Sequence, residues 1–157
     1  MFNLNYASFS NAYRRYAEMD KGSLFNILGW ADKGGSSGYV RNGAVLTSLA
    51  LLSNGVPLRG GLRIDAGSLM GGKVFNGANR LAEWLSMRHE TPEILSLDKG
   101  LAEVAYQLFG RRGIVAFIQG SGPHGGFIGL LDGRNASALC CAAELKHPLE
   151  ARFWPLP

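Results

Sequence analysis

The segment from residue 43 to residue 53 most constrains the fold of this chain, because apolar side chains cover almost the whole circumference of a helix there. Asn42 is suited to the N-cap of that helix, and Asn54 followed by Gly55 supplies a left-handed stop. A helix without a polar face is buried on every side. The sequence therefore predicts a domain built around one central helix.

Amphipathic helices are predicted on both sides of this segment. Apolar residues at helical spacing indicate a helix that opens near Ser8, a second over about 76–88 and a weaker one over about 98–109. The stretch 59–72 is rich in glycine and is predicted to form a long surface loop.

The last third of the chain has the composition of β-strands. β-Branched and aromatic residues predict buried strands at 113–119 and 127–131, and further strands are expected at 136–142 and near 152–154. Asp132-Gly133 is a strong signal for a hairpin turn. Helices followed by an antiparallel sheet indicate an α+β fold, with N-terminal helices packed on a C-terminal sheet.

Length and composition favour a single globular domain over residues 1–157. Hydrophobic residues make up 46% of the chain and charged residues 18%, which supports a real core. No apolar run approaches the ~20 residues of a membrane span, and the first residues lack the pattern of a secretory signal. We therefore expect synthesis in the cytoplasm without a signal peptide, and any export by a secretion or injection apparatus to a target cell periplasm.

The net charge of +4 favours acidic partners in general. The basic residues are scattered, and no recognition helix or aromatic platform accompanies them, so no nucleic-acid partner is expected. Cys140 and Cys141 are neighbours, and we expect one buried and one surface thiol rather than a disulfide. Three histidines are too dispersed to bind a metal, and the glycine-rich segment 120–126 lacks a P-loop ending. Neither a metal nor a cofactor is predicted.

Several segments, taken in order, resemble the type VI secretion amidase effectors of family four, which are NlpC/P60-type, papain-like peptidoglycan hydrolases. Gly38-Tyr39 before the central helix and the segment 54–57 after it resemble the helix that carries their nucleophile. The segments 110–118 and 127–133 resemble two of their strands, and 153–157 is similar to their aromatic-proline ending. The resemblance covers about residues 8–157 and implies a papain-like fold.

The resemblance also implies a missing catalytic set. In that family a cysteine at the start of the helix is activated by the helix dipole, and a histidine and an acid complete the triad. The matching positions are Gly43 for the cysteine, Phe127 for the histidine and the segment 136–138, with Ala138, for the acid. Because these side chains do none of that chemistry, we expect a degenerate catalytic site.

The hypothesis that follows is a pseudoenzyme that keeps the fold of a secreted peptidoglycan amidase and acts by binding or scaffolding. The expected cleft contains Tyr39, Asn42, Gly43, His124 and Phe127. The resemblance implies an immunity-like protein, a secretion-apparatus protein or a peptidoglycan stem peptide as partner. If the cleft is simply filled, no sizeable pocket should lie between the central helix and the strand at residue 127.

The alternative is an active antibacterial toxin that targets the cell wall with relocated catalytic residues. His124 is the best substitute base, and Ser121 lies near it in the sequence. Asp132, Ser48 and the two cysteines are weaker candidates. Their spacing does not define a nucleophile, a base and a residue that orients the base.

Overall fold

The computed structural model describes residues 3–120 and 125–157, and every element given below lies within those ranges. The helices are α1 (Tyr6–Ala17), α2 (Lys21–Leu28), α3 (Gly43–Ser53), α4 (Ala78–Arg88), α5 (Leu101–Leu108) and α6 (Ala136–Glu144). The strands are β1 (Leu62–Arg63), β2 (Lys73–Val74), β3 (Glu93–Leu95), β4 (Arg112–Ile118), β5 (Phe127–Asp132) and β6 (Glu150–Pro155). A short 3-10 turn spans Ala31–Lys33.

Helix α3 lies at the centre of the fold, as its apolar sequence predicts. Every residue from 44 to 51 is buried. The Asn42 side chain accepts a hydrogen bond from the Val45 N–H at 3.0 Å, and Gly55 takes a φ of 78° after the last turn. The caps therefore fix both ends of the helix, and burial on all sides holds it in place.

The main sheet is antiparallel, with strand order β3-β6-β4-β5. Alternate residues of β4 face opposite sides of this sheet. Ile114 and Ala116 pack in the core cluster that contains parts of α1, α3 and α4. Val115 and Phe117 pack in a second cluster with α5 and α6. Helices thus cover both faces of the sheet, and the α+β prediction is confirmed.

The predicted strand at 136–142 is wrong, because these residues form helix α6. Four of its nine residues are alanine, which has the highest intrinsic preference for helix. The predicted hairpin at Asp132-Gly133 is also wrong. The Asp132 carboxylate accepts hydrogen bonds from the N–H groups of Arg134 and Asn135, at 2.8 and 3.0 Å. This local turn leads the chain into a helix instead of a returning strand.

Two other segments differ from the sequence prediction. The fourth strand of the sheet is β3, which pairs with β6 and was not predicted. The stretch 59–72 is only partly a surface loop, because Leu62 and Ile64 are buried and β1 pairs with β2. Within the described residues, no helix is long and apolar enough to cross a membrane.

Candidate functional site

The start of α3 and the start of β5 meet, which brings together two positions of the expected triad. A Cβ atom built on Gly43 would lie 3.6 Å from Cε2 of Phe127 and 3.3 Å from the carbonyl carbon of Ile128. It would overlap the carbonyl oxygen of Ile128, at a separation below the 3.0 Å that real Cβ atoms keep. The backbone of β5 therefore occupies the space into which a side chain at residue 43 would extend.

The carbonyl oxygen of Ile128 lies against the first residue of α3, where a helix carries partial positive charge. A helix N-terminus favours a negatively charged group, and a catalytic thiolate exploits that preference. Here the partial negative charge of a backbone carbonyl lies against this N-terminus.

Asn42 serves as a structural cap at this site. Besides capping α3, its side-chain N–H donates to the carbonyl of Asn76 at 2.9 Å. The side chain of Asn76 in turn donates to the carbonyl of Gly38 at 2.9 Å. These bonds tie the segments before α3 and α4 together and fix where the helix begins.

Phe127 is partly buried, and its ring lies 6.4 Å from the ring of Phe117. A phenyl ring carries no exchangeable proton, so this position supplies no acid or base. Further along β5, the Tyr13 hydroxyl would contact a Cβ built on Gly129, at 3.2 Å. Burial raises the pKa of Tyr13 above its usual value of 10.0, so the phenol stays protonated at neutral pH and is no general base.

The segment that joins β4 to β5 is anchored at both ends by Asn79 and Gln119. The Gln119 N–H donates to the Asn79 side-chain oxygen at 3.1 Å, and the Asn79 amide donates back to the Gln119 carbonyl. The Gly126 N–H donates to the Gln119 side-chain oxygen at 3.1 Å. The substitute residues proposed from the sequence, His124 and Ser121, lie outside the described residues, so a role for His124 stays a prediction.

A cavity of about 140 Å³ remains between α3 and β5. It is lined by Asn42, Gly43, Ala44, Ala78, Gly126, Phe127, Ile128 and Lys146. Ligand pockets usually enclose roughly 300–1,000 Å³. The cavity between the described residues is smaller than that range, and Lys146, which the sequence analysis did not single out, adds a cation to its rim.

Tyr39 and Ala138 are placed away from this cavity. The Tyr39 ring packs edge-on against Trp30, with ring centroids 5.1 Å apart. Ala138 is exposed on α6, whose buried residues Ala136 and Cys140 pack on the opposite face of the sheet from Ala44 and Ile128. The structure thus places Asn42, Gly43 and Phe127 around one cavity, and it places Tyr39 and Ala138 outside that cavity.

The other candidate nucleophiles are Ser48, Cys140 and Cys141, and the environments of Ser48 and Cys140 do not activate them. The Ser48 hydroxyl is buried and accepts a hydrogen bond from the Phe75 N–H at 3.1 Å. Cys140 is buried and Cys141 exposed, as predicted, and both are free thiols. Burial, with a smaller contribution from Cys141, raises the pKa of Cys140 to about 11, so it is protonated at neutral pH. Among the described residues, no group of three His, Cys, Asp or Glu side chains could hold a metal ion.

Taken together, these elements define a papain-like α+β fold with a small cavity between α3 and β5. Solved structures with the same fold include Tae4 effectors. The Tae4/Tai4 effector–immunity system from Salmonella typhimurium matches with a TM-score of 0.71 and 19% identity, over 99% of this chain and 100% of that chain. The effector Tae4 from Enterobacter cloacae matches with a TM-score of 0.63 and 17% identity, over 96% of each chain. No protein-family model and no curated protein matches the sequence. At these identities the likeness establishes the fold alone.

Proposed function

We propose that this protein is a catalytically inactive relative of the type VI peptidoglycan amidase effectors and that it acts by binding a protein partner. One observation carries the proposal: the Ile128 carbonyl fills the place of a side chain at Gly43, opposite Phe127. A nucleophile cannot be accommodated there without a backbone shift. The match to Tae4 structures over nearly the whole chain supports the relationship.

A protein partner is favoured over a peptide in the cleft. The cavity of about 140 Å³ is smaller than sites that enclose even small ligands. The solved relatives include complexes of Tae4 with the immunity protein Tai4. An immunity-like protein is therefore the first partner to test, and a component of a secretion apparatus is the second. Export to the periplasm of a target cell by such an apparatus is part of the same proposal.

Digestion of purified peptidoglycan sacculi tests the inactivity. The protein is incubated with sacculi beside Tae4 from Salmonella typhimurium as a positive control, and soluble products are separated by chromatography. We expect no stem-peptide cleavage. Specific cleavage that disappears in His124→Ala and persists in Arg134→Ala would overturn the proposal and establish an active toxin with relocated residues.

Calorimetric titration tests the partner. The Tai4 proteins of Salmonella typhimurium and Enterobacter cloacae serve as first probes, because they occur in the matched complexes. Saturable binding of either protein supports an immunity-like partner. If neither binds, the immunity-like assignment is rejected, and capture on purified secretion-apparatus subunits decides whether the second partner class applies.

A further inference from the structure

A second depression lies on α4, and it shares no lining residue with the cavity beside Gly43. It encloses about 320 Å³ between the exposed side of α4 and the chain that connects α3 to that helix. We call it the α4 groove and define it by Arg59, Arg80 and Arg88 around Phe75 and Trp84. Its volume lies within the range of sites that hold a ligand or an anchoring side chain.

The α4 groove carries positive charge that the protein itself does not neutralise. Arg59, Arg80 and Arg88 are all exposed. In the part of the chain that the structure describes, no carboxylate oxygen lies within 4.0 Å of any of these three guanidinium groups. Glu83 also lines the groove; its carboxylate lies 3.3 Å from Arg152, which also pairs with Glu150, so the groove has one carboxylate against three guanidinium groups. The local potential therefore favours an anionic partner.

The floor of the α4 groove is apolar and aromatic. Trp84 lies between Arg80 and Arg88 at intervals of four residues, so the three side chains form one stripe on the helix. The guanidinium carbon of Arg88 is 5.2 Å from the centre of the Trp84 ring. The centre of the Phe75 ring is 5.9 Å from the centre of the same Trp84 ring. Met87, at the edge, is 73% exposed. Tryptophan, arginine and methionine are the side chains that protein interfaces favour.

We propose that the α4 groove binds an acidic segment of a protein partner that inserts one apolar side chain against Trp84. The charge of the groove selects carboxylates, and each free guanidinium can take a carboxylate in a bidentate pair. Arg80 and Arg88 are separated by about 12 Å along the helix axis, at ~1.5 Å per residue. Two carboxylates about eight residues apart on a partner helix match that spacing. This inference rests on the proposed partner-binding function and names the surface that performs it.

Two peptides provide the probe. The first is a helical peptide with two glutamates about eight residues apart and a leucine midway between them, matched to the groove by the ~1.5 Å rise of a helix. The second has glutamine in place of both glutamates. Binding is followed by fluorescence anisotropy of a labelled peptide at low and high salt. We expect saturable binding of the acidic peptide that weakens with salt, and at least about tenfold weaker binding of the glutamine peptide.

Charge-reversal variants locate the binding surface. The double variant Arg80→Glu, Arg88→Glu should weaken binding of the acidic peptide by at least about tenfold. The matched control is Lys99→Glu, Arg134→Glu, which changes two exposed cations by the same charge outside the groove and should change the affinity by less than about twofold. Thermal unfolding of every variant verifies that it is folded. Trp84→Phe keeps an aromatic floor and should retain most of the affinity.

Intrinsic fluorescence gives an independent reading. Trp30 and Trp154 are fully buried, whereas Trp84 is partly exposed. Quenching by a small solute therefore reports mainly on Trp84. The ratio of quenching by iodide, an anion, to quenching by neutral acrylamide should be lower in the Arg80→Glu, Arg88→Glu variant than in the parent protein.

Several results would overturn the inference. One is absence of acidic-peptide binding at low salt, and another is equal weakening by the two double variants. Binding of a single-stranded oligonucleotide that is tighter than that of the peptide and lost in the same variant would assign the groove to nucleic acid. Self-association lost in that variant would assign it to a second copy of this chain. These assays measure binding alone. Peptidoglycan cleavage by the protein would therefore refute the proposed function without changing the conclusion about binding at the α4 groove.

Discussion

Adding a side chain at Gly43 should destabilise the protein. The perturbation is Gly43→Ala, which adds one methyl group at the first residue of α3. That methyl would overlap the carbonyl oxygen of Ile128, which belongs to backbone and cannot rotate away. Either the start of α3 or strand β5 must shift, and the buried contacts of both elements resist the shift.

The expected change in the free energy of unfolding of Gly43→Ala follows from two opposing effects. Replacing a helical glycine by alanine usually stabilises a protein by ~0.4–1 kcal/mol, because the unfolded chain loses freedom. Forcing an extra carbon into a packed site costs about 1–3 kcal/mol. We therefore expect Gly43→Ala to lower the free energy of unfolding by about 1.3 kcal/mol, the middle of the difference between the two ranges. For a chain of 157 residues this corresponds to a melting temperature lower by about 3–5 °C.

Gly22→Ala is the matched control. Gly22 also lies in the first turn of a helix, and a Cβ built there would meet only the Asp20 side chain, at an ordinary 3.6 Å. This variant should be unchanged or more stable by up to ~1 kcal/mol. Urea denaturation of the two variants and the parent protein gives the difference directly.

A stability gain in Gly43→Ala equal to that in Gly22→Ala would refute the reasoning, because it would mean that residue 43 has room for a side chain. Gly43→Cys in a Cys141→Ser background extends the test to the chemistry. We expect no peptidoglycan cleavage and no thiol that reacts rapidly below pH 7. A reactive thiolate at residue 43 would show that the cleft opens.

Three further predictions concern buried polar groups. Ser48→Ala leaves the Phe75 N–H without its partner and should cost about 1–3 kcal/mol in urea denaturation; a change below ~0.5 kcal/mol would contradict the role of this bond. At pH 8 a thiol reagent should label one site per folded chain, and Cys141→Ser should abolish the labelling, because Cys140 is buried and the pKa of its thiol is raised to about 11. Between pH 9 and pH 11 the unfolded chain releases the Cys140 proton while the folded chain keeps it, so stability falls as pH rises. Between pH 8 and pH 10 the free energy of unfolding of Cys140→Ala should therefore fall by roughly 1 kcal/mol less than that of the parent protein. An identical fall in both proteins would show that the pKa of Cys140 is not raised.

Local sequence signals predicted those elements whose stability is decided locally. Helix α3 follows from its continuous apolar surface and from caps at Asn42 and Gly55, all within one stretch of 14 residues. Strands β4 and β5 follow from their β-branched and aromatic residues. Helix α6 was misassigned because a short apolar run does not by itself distinguish strand from helix. The hydrogen bonds of Asp132 decide the direction of the chain there, and the Asp-Gly pair alone does not reveal them.

The candidate site was predictable only in part. The family resemblance assigned Gly43 and Phe127 to one site, and in the structure both residues line the same cavity. The sequence alone identifies residue 43 as glycine. It does not predict the close approach of the Ile128 carbonyl, because that approach results from packing between distant segments. The α4 groove was hidden for the same reason. Arg59 joins Arg80 and Arg88 only after Phe75 packs beside Trp84.

The position of β6 makes resistance to mechanical force depend on direction. Strand β6 lies between β3 and β4, and its Trp154 is fully buried. A machine that pulls on the C-terminal end must strip this strand from two neighbours at once and extract an indole from the core. A pull on the N-terminal end first removes α1, which the described residues hold by side-chain packing, by side-chain hydrogen bonds such as that between Tyr16 and Ser53, and by the backbone bond from the Tyr6 N–H to the Pro157 carbonyl, but not by a strand ladder. Threading through a narrow channel should therefore meet less resistance when the N-terminal end leads.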